Sequence, residues 1–296
     1  MKRALFTVSY AGLWGQHTLD ASACVHKAAE LGFEGVLFMG KAPHLFPLGL
    51  ADTEVARVQN ALSQTGLQAV GVAGYTDFLL RAAAEVPVLD MQVAYIEGCC
   101  QLARKLGGSV VRLFTGYLSE DTSRSAAWNR MVQVLRRCGD IAQSEDVVLA
   151  VQNHHDLAVG TEELDLLLEE VSHPAVRAGF DAWSPFLRGE DLAVVSRQMG
   201  PRTAMTIAAN YKLYPRYTYH PDLVNYSREY PDMVRAALMS EGAIDYRAFL
   251  GGLQASGFDG WVVYEMCSPL KGGGAEANLD RHATDFITWM DGNFPR

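Results

Sequence analysis

The sequence predicts a (β/α)8 TIM barrel, and three observations carry that expectation. Short β-branched runs alternate with longer segments of helical periodicity along all 296 residues. Eight strand candidates are separated by helices rather than hairpin turns, the pattern of a closed parallel barrel. The strands are apolar almost throughout, as strands buried on both faces should be.

The units follow in order. Strand Ala4–Tyr10 precedes a helix at Asp20–Leu31, which Gly32 stops by accepting positive φ. Strand Gly35–Gly40 leads to helix Thr53–Ser63, stopped near Gly66, and strand Ala69–Tyr75 to helix Met91–Leu106. Strand Val110–Gly116 pairs with helix Ser123–Ser144, and strand Val147–Asn153 with helix Glu162–Val171. Thr161 gives that helix half of a capping box, and Glu162 and Glu163 suit its N-terminus. Strand Arg177–Trp183 precedes helix Leu192–Met199, and strand Arg202–Asn210 precedes helix Tyr246–Ser256, with Asp245 as N-cap. Strand Gly260–Met266 and a helix near Asn278–Met290 close the series. The first strand lacks the Gly-x-Gly-x-x-Gly turn of a doubly wound sheet. No Pro/Ser-rich linker or charge block divides the chain, so residues 1–296 read as one barrel domain.

Composition narrows the function classes. Lys and Arg number 25 against 34 Asp and Glu, a net charge of −9, which speaks against a nucleic-acid backbone binder. Hydrophobic residues at 49% suit a full globular core, and no run of about 18 apolar residues could span a membrane. Cys24, Cys99, Cys100, Cys138 and Cys267 are odd in number, two of them adjacent and none in a Cys-x-x-Cys pair, which speaks against a disulfide framework or structural zinc and leaves the cytoplasm as the expected address.

A barrel places its chemistry at the C-terminal strand ends. Strand five ends Gln152-Asn153-His154-His155-Asp156, the densest polar cluster in the chain. Gln152, Asp181, Asn210 and Glu265 offer one oxygen-bearing side chain from each of four consecutive strands, a set suited to one hard divalent cation such as Mn2+ or Mg2+. Free imidazole titrates near neutral pH, which makes His154 and His155 candidates for acid–base work, and strand alternation favours only one of them facing the site. Arg112, Tyr117, Asp77 and His17 are further substrate-binding candidates at strand ends. The segment Lys212 to Glu241 carries Tyr214, Tyr217, Tyr219, Tyr226 and Tyr230, suited to a pocket wall or to a subunit contact in a homodimer or tetramer.

Four short features, in order, give the chain a resemblance: Ala28-Ala-Glu-Leu-Gly-Phe-Glu-Gly35, Gln152-Asn153-His154, Gly179-Phe-Asp181, and Glu241-Gly-Ala-Ile-Asp245-Tyr246 with Gly257-Phe-Asp-Gly260 and Glu265. The sequence resembles the xylose-isomerase-like barrel superfamily, in its sugar isomerase/epimerase branch with the ketose 3-epimerases and inosose dehydratases. That resemblance implies one divalent metal, Mn2+ first, with Mg2+, Co2+ or Zn2+ as alternatives, held by a Glu, an Asp, a His and a second Glu. It implies two glutamates exchanging a proton with the substrate. By position the metal set becomes Gln152, Asp181, Asn210 and Glu265, so two ligands are amides that add no charge and accept no proton. Glu265, His154 and Lys212 are then the catalytic candidates. Arg216 fits a substrate-contacting arginine of the family.

The expected function is metal-dependent isomerisation or epimerisation next to a carbonyl of a sugar, keto-sugar or cyclitol. A lyase or dehydratase acting on a 3-keto-sugar or inosose at the same site is the alternative, and a non-catalytic sugar-binding barrel is a third reading. An abasic-site nuclease on this barrel would need histidine ligands after strands two and three, where the chain has Met39-Gly-Lys41 and Gly74-Tyr75.

Overall fold

The computed structural model describes residues 1–81 and 85–296. In chain order it contains β1 (Lys2–Phe6), α1 (Ala21–Glu30), β2 (Gly35–Met39), α2 (Asp52–Thr65), β3 (Gln68–Ala73), α3 (Val88–Lys105), β4 (Val110–Leu113), α4 (Arg124–Ser144), β5 (Val148–Gln152) and α5 (Thr161–Val171). There follow β6 (Val176–Gly179), α6 (Trp183–Leu187), α7 (Leu192–Met199), β7 (Met205–Ala208), β8 (Asn210–His220), β9 (Asn225–Ala237), α8 (Tyr246–Ala255), β10 (Trp261–Tyr264) and α9 (Glu276–Asn293).

The TIM barrel is present. Eight parallel strands lie in the order β6-β5-β4-β3-β2-β1-β10-β7, each alternating with helix except where β8 and β9 intervene. The ring closes between β6 and β7 through a bridge at Ala178 and Thr203, where Ala204 N–H donates to the Ala178 carbonyl at 2.8 Å. One apolar cluster fills the barrel, with Ala4, Phe6, Leu37, Met39, Val70, Val110, Ala150, Ile207 and Val263 among its members. A larger cluster packs the outer strand faces against the helices. Strand alternation sorts residues between the two, and this parity decides which strand-end side chains reach the mouth.

Local chemistry matches several expected ends. Asp20 accepts from Ala23 N at 2.8 Å and Asp245 from Ala248 N at 2.9 Å, N-caps worth about 1 kcal/mol each. Gly32 and Gly66 take positive φ after their helices. The expected cap at Thr161 is corrected: Gly160 is the N-cap of α5, and the Thr161 hydroxyl donates to Glu190 instead.

The β2–β3 register shifts by one residue at Val36/Leu37, a bulge at Gly71, whose φ is +154° and where a Cβ would stand 1.7 Å from the Val110 carbonyl oxygen. Val70 and Ala73, three residues apart, therefore both face the interior, and Tyr75 follows them inward.

Two departures concern the seventh unit. The strand expected at Arg202–Asn210 is shorter, and Asn210 already opens β8. The tyrosine-rich segment after it is a two-stranded antiparallel ribbon, β8 on β9, rather than a loop, with Tyr217, Tyr219, Tyr226 and Tyr230 exposed along it. Its signal was the alternation of tyrosines with polar residues, a half-exposed strand pattern. No helix among the described residues is long and apolar enough to cross a membrane.

Candidate active site

A cavity of about 300 Å3 opens at the C-terminal mouth of the barrel. Its polar lining is Gln152 from the end of β5, His154 just beyond, Asp181 after β6, and Glu265, Cys267 and Ser268 after β10. Ile207, Ala209, Trp183, Tyr211, Tyr246 and Val234 of the ribbon supply the apolar wall. The Trp183 and Tyr211 rings meet at 4.6 Å between centroids.

Asp181 is buried and firmly held. Gln152 Nε2 donates to its Oδ2, and Trp183 N–H to its Oδ1 at 3.1 Å. The Asn153 amide clamps the Asp181 backbone from behind, accepting from its N–H at 2.8 Å and donating to its carbonyl at 3.0 Å. Burial holds the Asp181 carboxyl above the usual carboxylate range, while His154 and the Gln152 amide pull it back. Glu265 is raised for the same first reason, opposed by the charges of Arg112 and Lys41.

His154 has a defined tautomer. Its Nδ1 accepts from His155 N–H at 2.8 Å, which leaves the proton of the neutral ring on Nε2. Desolvation in the crowded mouth lowers its proton affinity, with Asp181 acting against it. The ring is thus a neutral N–H donor at the cavity. Cys267 Sγ lies 3.2 Å from the Tyr211 hydroxyl, and burial keeps its thiol protonated.

The structure brings together Gln152, His154, Asp181 and Glu265 of the expected residues, and it parts others from them. Asn210 is corrected as a ligand candidate. Its Nδ2 donates to the Met239 and Ile244 carbonyls at 3.0 and 3.1 Å, and its Oδ1 accepts from Tyr211 and Ile244 N–H at 2.9 and 3.0 Å. All four positions of the amide are used, and the inward residue of that strand is Ala209. Lys212 points outward, paired with Glu241 at 2.8 Å, because Tyr211 takes the inward position. Arg216 stands exposed on the ribbon opposite Glu229.

The remaining candidates ring the mouth. His155 packs edge-on against Phe114 and Tyr117, at 4.3 and 4.2 Å, and desolvation lowers its pKa to about 4. Asp77 Oδ1 accepts from Leu79 and Tyr117 N–H at 3.2 and 3.0 Å, a loop-shaping role. Tyr117 is exposed, and His17 sits 3.5 Å from Glu276 at the rim. Arg112 is buried inside the barrel.

The four-oxygen metal set does not fit these residues. Asn210 is unavailable, Ala209 offers no donor in its place, and Gln152 turns its NH2 group on Asp181. Among the described residues no group of three His, Cys, Asp or Glu is arranged to hold an ion. The reading from sequence missed Cys267 and Tyr211, which a two-residue step from Glu265 and from Ala209 would have found.

Comparison with known proteins agrees with this architecture. A family model described as xylose isomerase-like TIM barrel matches residues 25–287. An inosose dehydratase from Geobacillus thermodenitrificans (strain NG80-2) is 24% identical over 281 residues, covering 86% of this chain and 83% of that protein. D-Psicose 3-epimerase from Clostridium cellulolyticum H10, solved with D-tagatose, superposes with a TM-score of 0.75 at 15% identity over 100% of both chains. The probable 3-DHS dehydratase of petrobactin synthesis from Bacillus anthracis gives 0.73 at 19% identity, covering 98% of this chain and 99% of that one.

Proposed function

Because the chain belongs to the xylose isomerase-like TIM-barrel family, we propose that it is an enzyme acting next to the carbonyl of a keto-polyol, and that it completes the reaction by eliminating water. The observation that carries this reading is one cavity lined by a carboxylate base, Glu265, together with Asp181 and the Nε2–H of His154, while the position resembling a second glutamate is the amide Gln152. Epimerisation needs a proton removed on one face and returned on the other. An amide returns none.

Elimination suits the groups present. Glu265 takes the proton from the carbon beside the carbonyl, and the electron pair moves toward the carbonyl oxygen. The pair then forms a carbon–carbon double bond as the β-hydroxyl departs. Asp181, whose carboxyl burial holds above its usual range, gives a proton to that hydroxyl, which leaves as water while the His154 Nε2–H hydrogen-bonds its oxygen. The proton on Glu265 passes back to the acid side and resets the site. Two carboxyls held above their usual range are suited to such transfers near neutral pH, and the neutral imidazole supplies a hydrogen-bond donor. The site residues do not fit the expected metal set, so no step is routed through a metal.

Epimerisation with Asp181 as the returning acid is the second reading, favoured by the likeness to D-psicose 3-epimerase. NMR of inososes and ketohexoses incubated with enzyme in D2O tests the choice. An unsaturated ketone formed with loss of one hydroxyl supports elimination. Deuterium entering a product that keeps every oxygen overturns it in favour of epimerisation.

A further inference from the structure

On the β2–β4 side of the mouth, the inward positions just beyond β2 and β3 carry Lys41 and Tyr75, and Arg112 points inward from β4. Arg112 is 1% exposed. It gives one hydrogen bond, Nη1 to the Gly74 carbonyl at 3.1 Å, and its Nε is buried with no partner. Its guanidinium carbon lies 5.4, 4.9 and 4.1 Å from the ring centroids of Phe6, Tyr75 and Phe114. Lys41 Nζ rests 3.9 Å from the centroid of the same Tyr75 ring. Among the described residues neither cation has a carboxylate within 4.0 Å. The Tyr75 hydroxyl is also buried without a partner.

A guanidinium taken out of water with one hydrogen bond to the protein and a buried, unpartnered Nε is costly, and aromatic faces offset that only in part. A second cation beside it adds repulsion. Burial, with the charge of Arg112, holds the Lys41 ammonium below its ordinary range. Such a cluster is unexpected in a chain of net charge −9 with acids to spare. The Gly71 bulge turns Tyr75 toward the two cations, so the backbone itself is shaped for the grouping.

We infer that Arg112, Lys41 and Tyr75 form a binding site for an oxyanion carried by the substrate, a carboxylate or a phosphate ester, so that the keto-polyol is acidic rather than neutral. This rests on the proposed reading that the substrate's carbonyl lies by Glu265. The anionic group would dock on the β2–β4 side while the reacting carbon faces the β6–β10 side. Glu265, whose charge both cations feel, then stays free to act as base.

Thermal melting in malonate, phosphate or chloride at matched ionic strength tests the site without knowledge of the carbon skeleton. In the intact protein, malonate or phosphate is expected to raise the melting temperature saturably by about 3 °C or more over chloride. The effect should vanish in Arg112→Gln, weaken at least tenfold in apparent affinity in Lys41→Gln, and persist in Glu265→Gln. A rise with malonate alone assigns a carboxylate, and with phosphate alone a phosphate ester. No anion-specific rise, or an equal rise in Lys41→Gln, overturns the inference. Lys41 is partly exposed, so its variant decides the matter if Arg112→Gln fails to fold. Turnover of a neutral keto-polyol without anion binding would leave the proposed reaction standing and remove this site. Anion binding without turnover of any keto-polyol would do the reverse.

Discussion

Gln152 gives an amide hydrogen to Oδ2 of Asp181, tying the end of β5 to the end of β6 with the one bond that satisfies that oxygen from a side chain. Where the family resemblance calls for a carboxylate, the chain has a hydrogen-bond donor. Gln152→Glu should therefore set two carboxyls against each other. We expect a loss of about 1–3 kcal/mol at pH 7, read by denaturant unfolding. Carboxyls whose folded pKa is raised hold a proton that the unfolded chain has released, so the loss should grow as pH rises above about 4. A variant as stable at pH 7 as at pH 5 would contradict this.

The parity of β7 makes a paired prediction. Ala209→His places an imidazole in the cavity with Asp181 and Glu265, whereas Asn210→His removes four backbone contacts and points outward. Calorimetric titration with Mn2+ or Zn2+ should show binding gained by the first variant and not by the second. The second should also unfold more readily, by roughly 2 kcal/mol or more.

Glu265→Gln keeps the shape of the side chain and removes the base. Turnover of a responsive keto-polyol should fall by roughly 10²–10⁴-fold, and exchange of the carbon-bound proton in D2O should fall in parallel. Elimination surviving without exchange would assign the base elsewhere.

His155 supplies a pH signature separate from catalysis. Its pKa is lowered to about 4 in the fold, so the unfolded chain takes up a proton that the folded one refuses. That difference destabilises the protein progressively as pH falls from about 6.5 towards 4. Melting curves of His155→Phe should lose less with acid over this window than those of the unaltered protein.

The order of strands and helices was legible because the barrel strands are mostly apolar and the longer helices amphipathic, and because caps such as Asp20 and Asp245 are local chemistry. Asp181 and Glu265 were legible too, as acids at the ends of apolar strands. The fate of Asn210 was not. Its position matched a ligand, yet the strand's inward parity falls on Ala209, and the partners that fill its amide come from Met239 and Ile244, some 30 residues on. Lys41 and Tyr75 were equally hidden, since Tyr75 reaches the mouth only through the bulge at Gly71.

Lys212 and Arg216 give the converse expectation. Both lie away from the cavity, so Lys212→Gln and Arg216→Gln should leave turnover within twofold of the parent enzyme. A steady-state assay showing a tenfold loss in either would return the ribbon root to the chemistry.

The closure of the ring between β6 and β7 has a consequence for substrate range. β5 and β6 are laddered over four residue pairs, whereas β6 meets β7 at the Ala178–Thr203 bridge. The barrel is thus a nearly complete cylinder with a narrow seam, joined by that bridge and by the Arg177 guanidinium on the Pro201 carbonyl at 2.8 Å, and the seam runs up to the gap between Asp181 and Ala209. Breathing there would widen the pocket on its apolar side while the Gln152–Asp181 spacing stays fixed by the β5–β6 ladder. Selectivity would then be strict where the hydroxyls are read and tolerant where the carbon frame lies, so that one catalytic geometry serves rings and chains of different girth.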